Sequence, residues 1–273
     1  DDVTNTSLHF DPDFNLEKQY YFRGLFYGLG ADGTVSANKN SIKIIGDHTG
    51  DFVQGYFVYD SKKSGSLTVS HLRAGKNPIR SSYLVQSANF VACHHFNYLL
   101  KYDVLRYAEH GAVFLLNTPY PHEEVWQHLP KKIQEEIIEK QLKFFVINAS
   151  AVARQAELGT RINTILQTCF FAISNVMSSD EAIADIKQAI HDSYIKKGIS
   201  VVEKNNAAVD KALANLFEVD YTKNATGNLE GDKIVPDDAP DFVQKVLARI
   251  MAGEGDELPV SAFPVDGRYP AGT

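Results

Sequence analysis

A glycine triplet with the spacing of a phosphate cradle stands near the start of the chain: Gly28, Gly30 and Gly33, in GLGADG. An apolar run, Leu25, Phe26 and Tyr27, feeds into it. A helical segment follows, with Val35, Ile42 and Ile45 as its apolar residues. Strand, glycine turn and helix form the context that gives G-x-G-x-x-G its meaning. Glycines let the backbone turn tightly and approach a ligand, and a helix N-terminus offers free N–H groups to an anion. The same pattern also serves as a plain tight turn.

A second candidate lies at the end of the next strand, GYFVY, which runs into Asp60, Ser61, Lys62, Lys63, Ser64 and Gly65. In a dinucleotide-binding unit this position meets the ribose: an acid there suits a free hydroxyl, a base a ribose phosphate. Asp60 offers the first, and Lys62 and Lys63 offer point charges for the second. Together the two loops describe a ligand with a pyrophosphate and a phosphorylated ribose, which fits NADP and coenzyme A equally. Further on, Arg161 and Asn163 open a helix in TRINT, where they could grip an anion or ribose or simply cap the helix.

Other chemistry-bearing residues read as structural. Cys93 and Cys169 are far apart in apolar runs, so they read as core thiols, neither a disulfide framework nor a cluster-binding set. Adjacent His94 and His95 point in different directions on regular structure and make a poor zinc pair. No nucleophile–base pair stands out, so no catalytic residue is assigned.

The chain has 273 residues and a formal net charge of −7, which excludes nonspecific nucleic-acid binding and demands a local basic patch for any anionic ligand. No apolar run approaches membrane-spanning length, and the polar N-terminus DDVTNTSLHF is no signal peptide. The absent initiator Met and the ending on Pro-Ala-Gly-Thr read as a fragment.

The elements that must position these residues alternate between apolar strands and amphipathic helices, which predicts an α/β, Rossmann-like layered domain with a mostly parallel sheet. Strands are expected over 18–27, 55–59, 89–92, 112–116 and 143–148. An antiparallel hairpin excursion is expected from 67–72 and 79–85, with Arg73 and Arg80 either facing the basic turn or ordinary surface residues. Residues 46–50, GDHTG, read as a turn holding a solvated His48. Helices are expected over 97–108, 122–129, 131–141, 149–157, 163–176, 181–195 and 199–217. Ser178 and Glu181 form a capping box for the helix that follows them. Composition changes near Glu218, and 220–240 reads as a linker before a last amphipathic helix over 241–252. The domain expectation is therefore 1–217 with an N-terminal arm over 1–16, then a linker and extension over 218–273.

Four stretches carry a resemblance: GLGADGTVSANKNSIKIIGDHT, QGYFVYDSKKSGSLTVSHLR, RINTILQTCFF and LPVSAFPVDGRYPAGT. They resemble the middle portion of pyruvate:ferredoxin (flavodoxin) oxidoreductases, the gamma domain, over nearly the whole chain. The resemblance implies a coenzyme A-binding domain in an enzyme that oxidatively decarboxylates pyruvate to acetyl-CoA. Gly30, Gly33, Thr34 and Asn38 would then approach the pyrophosphate or ribose, Asp60, Lys62 and Lys63 the ribose and its phosphate, and Arg161 and Asn163 would complete the pocket. Ser36 departs from the glycine expected there. Thiamine diphosphate and 4Fe-4S clusters would sit elsewhere in the parent, the cluster-bearing domain lying beyond 218–273. Implied partners are the other domains of the same enzyme, ferredoxin or flavodoxin as electron acceptor, and a second copy in a homodimeric parent, located in the cytoplasm or, in a eukaryote, an anaerobic organelle. The competing readings are an NADP-binding oxidoreductase domain and a structural interdomain module.

Overall fold

The computed structural model describes residues 1–11, 14–30, 32–59, 66–231 and 233–271. Seven strands form one sheet, β1 Phe22–Leu29, β2 Phe52–Tyr59, β3 Leu67–Gly75, β4 Ala88–Cys93, β5 Ala108–Asn117, β6 Lys143–Ile147 and β7 Phe217–Glu218, in the order β2-β3-β1-β4-β5-β6-β7. β1, β4, β5 and β6 are mutually parallel; β3 is antiparallel to both β1 and β2, and β7 to β6. The sheet is mixed α/β and mostly parallel, as the alternation of elements predicts.

The eight α-helices among the described residues are α1 Thr34–Thr49, α2 Val125–His128, α3 Lys131–Glu139, α4 Ala149–Gln155, α5 Asn163–Ile173, α6 Ser179–Tyr194, α7 Ile199–Ala214 and α8 Ala248–Met251. The central strands are apolar at successive positions because both faces are covered. Phe22, Phe26, Phe90, Ala92, Leu115 and Ile147 pack with α1, α4, α5, α6 and α7. Leu25, Tyr27, Val91, Cys93, Phe114 and Phe144, offset by one residue, pack with α2, α3 and the 3₁₀ turn Phe96–Leu100. Phe170 on α5 meets Phe22, Phe26 and Phe90 at ring centroids 5.2–5.5 Å apart and ties α5 to β1 and β4.

Several local expectations are corrected. Residues 46–49 are the last turn of α1, which ends at Gly50 with φ 67°; His48 points from that turn to Glu181 and Asp185 at 3.2 and 3.4 Å. Glu181 is thus engaged by His48, and Ser178 stands at the N-cap of α6 without a side-chain cap bond, so no capping box forms. The antiparallel hairpin is β2–β3, not 67–72 with 79–85. The latter stretch forms no strand, because its polar groups bond side chains instead: Ser81 to Tyr20, and the Val85 N–H to His71 Nδ1. The basic turn lies outside the described residues, and Arg73 is not a surface residue. The antiparallel β3 carries it toward the start of β1, where it is buried against Glu17 at 2.6 Å. Residues 97–108 are not a helix: after Leu100 the chain makes short turns that bury Val104 and Leu105, and β5 begins at Ala108.

The stretch 220–240 contains no regular element among its described residues, yet it is pinned to the body. Gln134 on α3, fully buried, accepts the N–H groups of Thr226 and Gly227 at 2.7 Å each. Tyr221 stacks on Trp126 at 5.3 Å. Beyond it, a π-helical stretch Val243–Leu247 leads into α8, and Arg106 reaches the Gly253 carbonyl at 3.2 Å. No helix among the described residues is long and apolar enough to cross a membrane.

Candidate functional site

The parallel strands β1, β4, β5 and β6 end at Leu29, Cys93, Asn117 and Ile147, along one edge of the sheet. After β1 the chain goes to β2 and β3 on one side, then returns to β4 on the other, so a topological switch point lies between β1 and β4. Ligands in open α/β sheets lie in such crevices. Two adjoining cavities occupy this one, of about 390 and 530 Å³, and His95, Ser150 and Arg154 line both.

The glycine turn forms the first wall. Gly33 adopts φ 84°, a left-handed conformation that favours glycine, and a Cβ there would come within 3.1 Å of the Asn163 side chain. The start of α5 therefore lies against the turn. A Cβ on Gly28 would fall 2.7 Å from the Thr34 Cβ, so α1 can seat on β1 only over a bare backbone. Thr34 itself is 1% exposed, and its hydroxyl shares a 2.7 Å hydrogen bond with His94 Nδ1. Asn38 is 4% exposed. Thr34 supports the turn from beneath through its bond to His94, and both side chains are buried.

Several N–H groups in and beside the turn are engaged. Asp32 accepts from Leu29 N and Thr34 N at 2.8 Å each, and its Oδ2 lies 3.2 Å from His95 Nε2. Gly30 N donates to the Ser66 carbonyl at 3.1 Å. Burial raises the Asp32 pKa, but the hydrogen bonds from His95, Thr34 and Leu29 outweigh it and hold the carboxyl well below the usual range. His94 and His95 diverge, one to Thr34 and the other to Asp32. Burial pushes His94 down to about 4, so it is neutral at pH 7.

The floor and far wall come from β5, β6 and α4. Asn117 donates to the His94 carbonyl at 2.9 Å and accepts from Ala149 N at 3.0 Å, tying β4 to α4. Asn148 caps α4 through Ala151 N. Arg154, in the last turn of α4, is exposed, and its guanidinium makes no hydrogen bond or ion pair among the described residues. The same holds for Arg161, which stands between the cleft-lining Thr160 and Ile162. Gly33 and Asn163 stand against each other, and Gly30 and Arg161 adjoin the cleft-lining Leu29 and Thr160 in sequence, but none of the four is among the residues lining either cavity. Asp60, Lys62 and Lys63 lie outside the described residues. Sequence reasoning placed Asn117 at a strand end where ligands tend to lie and weighed His95 only as a poor zinc ligand; it missed Asp32 and Arg154, of which Asp32 carried a local signal, as a short acid just before a helix.

A larger cavity of about 700 Å³ lies at the other end of β1, between Phe14–Lys18 and Tyr83–Ser87. Glu17 there is paired with Arg73. Both cysteines are buried, and burial pushes Cys93 up to about 12 and raises Cys169 as well, as core thiols require.

Residues 23–215 match the family described as pyruvate ferredoxin/flavodoxin oxidoreductase. The chain belongs to this family. Residues 229–273 match a second model, EKR, a domain of unknown function. Among curated oxidoreductases of the family, the chain is 54% identical over 280 residues to the pyruvate-flavodoxin oxidoreductase of Nostoc sp.. It is 49% identical over 273 residues to the pyruvate:ferredoxin oxidoreductase of Moorella thermoacetica. All of the chain is covered in both alignments, and it spans 23% of the length of each relative. The fold is similar to that of pyruvate oxidoreductase subunit PORC from Thermotoga maritima, with a TM-score of 0.56, 16% identity, and coverage of 72% of this chain and 98% of that one. A 2-oxoglutarate:ferredoxin oxidoreductase from Magnetococcus marinus, solved with 2-oxoglutarate, coenzyme A and succinyl-CoA bound, has a TM-score of 0.50 at 18% identity, covering 71% of this chain and 30% of that one.

Proposed function

We propose that this chain is the coenzyme A-binding unit of a longer pyruvate:ferredoxin/flavodoxin oxidoreductase, which decarboxylates pyruvate oxidatively to acetyl-CoA. The observation that carries the reading is the cleft at the switch point, lined by Arg154, whose guanidinium has no partner among the described residues of a chain of net charge −7; Arg161, likewise unpartnered, is the sequence neighbour of the cleft-lining Thr160 and Ile162. Unpaired arginines beside an apolar and polar crevice suit a phosphorylated ligand. The Magnetococcus neighbour was solved with coenzyme A, and the relatives are named for the same reaction class.

The residues present fit such a ligand. Gly30 and Gly33 leave backbone open for close approach, Arg161 and Asn163 flank it, and Asp60, Lys62 and Lys63 would meet the ribose and its 3′-phosphate. Thr34 and Asn38, in the first helix after the turn, would approach the pyrophosphate or ribose. Coenzyme A supplies the thiol that takes the acetyl group. This chain orients it and carries no part of the bond-making chemistry. Thiamine diphosphate and 4Fe-4S clusters belong to other domains on this reading, with residues 1–217 as the binding domain and 218–273 as an extension toward the clusters. The partners are those domains, a ferredoxin or flavodoxin acceptor, and a second copy in a homodimeric parent, in the cytoplasm or an anaerobic organelle.

The double variant Lys62→Ala, Lys63→Ala tests the ribose-phosphate assignment. It should weaken coenzyme A and leave dephospho-coenzyme A nearly unchanged. Equal loss for both ligands would refute it.

A further inference from the structure

The C-terminal extension is held from two sides, by α3 and by the turns that precede β5. On α3, Gln134 accepts from Thr226 N and Gly227 N, and Lys131 N donates to the Leu229 carbonyl. On the turns, the Leu100 carbonyl stands so close to Gly231 that a Cβ there would fall 2.9 Å from it, and Arg106 holds the Gly253 carbonyl and Glu257. Asp103, Lys132, Gly231, Ala252 and Glu254 line a cavity of about 150 Å³ where extension, α3 and turns meet.

Two acids join α3 to the turns. Asp103, on the turns, and Glu136, on α3, lie within hydrogen-bond reach of each other. Asp103 Oδ2 accepts from Lys132 at 2.7 Å. Its other oxygen, Oδ1, is buried with no hydrogen-bond partner among the described residues, and so is Oε2 of Glu136. Lys140, four residues further along, is spent on the carbonyls of Leu105 and Arg106 at 2.6 and 3.2 Å. Two ionised carboxylates here would repel and leave both buried oxygens without a donor. A single proton removes the repulsion and makes one acid a donor to the other. The charged groups facing Glu136 are Asp103 from the turns and Lys132 and Lys140 from α3; the extension adds Glu254, which acts on Lys132 and pairs with Arg249 at 3.4 Å. Burial and the Asp103 charge outweigh the two lysines and raise Glu136 to about 7.

We propose that Asp103 and Glu136 share one proton, and that this proton latches the C-terminal extension onto the body. With the proton in place, α3 and the turns form one wall, and Gln134 and Arg106 hold the extension from either side of the pair. Without it, the repulsion drives the turns from α3, and Arg106 leaves with them. Glu136 returns to its ordinary value, 4.5, when the turns part, so opening releases the proton. Opening therefore becomes easier by about tenfold per pH unit as pH rises from 4.5 to about 7, and levels off above.

The test is amide hydrogen exchange across residues 226–257 at pH 5.5 and 8, corrected for the intrinsic rate, together with a carbon-13 titration of the Glu136 carboxyl. Wild type, Glu136→Gln and Asp103→Asn are compared. In wild type the slowest amides of the extension should lose about thirtyfold in protection, because about 1.5 pH units of the window lie in this interval. Glu136→Gln keeps a donor at every pH and should lose less than about threefold. The Glu136 carboxyl should titrate near 7 in wild type and fall toward the ordinary carboxylate range in Asp103→Asn, whose amide donates to the ionised acid. An ordinary Glu136 midpoint in wild type, a midpoint unmoved in Asp103→Asn, or equal loss of protection in wild type and Glu136→Gln would each overturn the proposal. The wild-type titration decides for or against the shared proton even if a variant fails to fold.

Discussion

His94 gives the sharpest test of the turn's architecture. It is buried beneath the glycine loop, bonded to Thr34, and kept neutral. Its pKa falls from an ordinary 6.5 to about 4, mainly because burial penalises the imidazolium. Between these values the unfolded chain binds a proton that the folded chain refuses. The stabilisation is therefore complete above pH 6.5 and is lost as pH falls toward and below 4. The full gap is worth about 3 kcal/mol, of which about 2 kcal/mol falls between pH 7 and 5. Other groups complicate the profile of the wild type alone. Burial, with the nearby Asp103 charge, raises Glu136 to about 7, and a raised acid loses stability as pH rises, the opposite sign. Comparison with His94→Gln cancels these shared contributions. Urea unfolding of both proteins at pH 7 and 5 should show wild type losing about 2 kcal/mol more than the variant over this interval. Parallel losses would refute the reasoning, because they would mean that His94 protonates equally in the folded and unfolded states.

Three further outcomes follow from packing. Gly28→Ala should destabilise by about 1–3 kcal/mol in urea unfolding, since its Cβ would meet Thr34; a neutral substitution would show that α1 does not seat on β1 as described. Gln134→Ala leaves the Thr226 and Gly227 N–H groups without their acceptor and should cost about 2–4 kcal/mol, with faster amide hydrogen exchange at those two positions; unchanged exchange would contradict the pinned strap. Arg73→Met strands the buried Glu17 carboxylate and should cost about 3–5 kcal/mol, again by urea unfolding; a loss under about 1 kcal/mol would contradict the pairing.

The central strands were legible because parallel strands covered on both faces need apolar residues at every position, and runs such as AVFLL and KFFVI declare this locally. The glycine turn and its helix were legible for a similar reason: Gly28 and Gly33 answer to nearby atoms. The 79–85 stretch alternates like a strand but spends its polar groups on side chains of β3 and the first segment, which no local pattern records. Arg73 looked like a surface residue because its partner lies 56 positions away. The strap over 220–240 has no periodicity, since scattered contacts such as the buried Gln134 amide and the Tyr221–Trp126 stack hold it. Arg161 and Asn163 could be named from their place at a helix start, and Asn163 packs against Gly33. Arg154 could not: its significance arises only where α4 brings it opposite Asp32.

The central claim is that this cleft holds coenzyme A. It is tested most directly by calorimetric titration of the chain with coenzyme A, dephospho-coenzyme A and NADP at low and moderate salt. The account predicts binding of coenzyme A that weakens with salt and with loss of the 3′-phosphate, and weaker binding of NADP. Preference for NADP, or no binding of any of the three by folded protein, would contradict it.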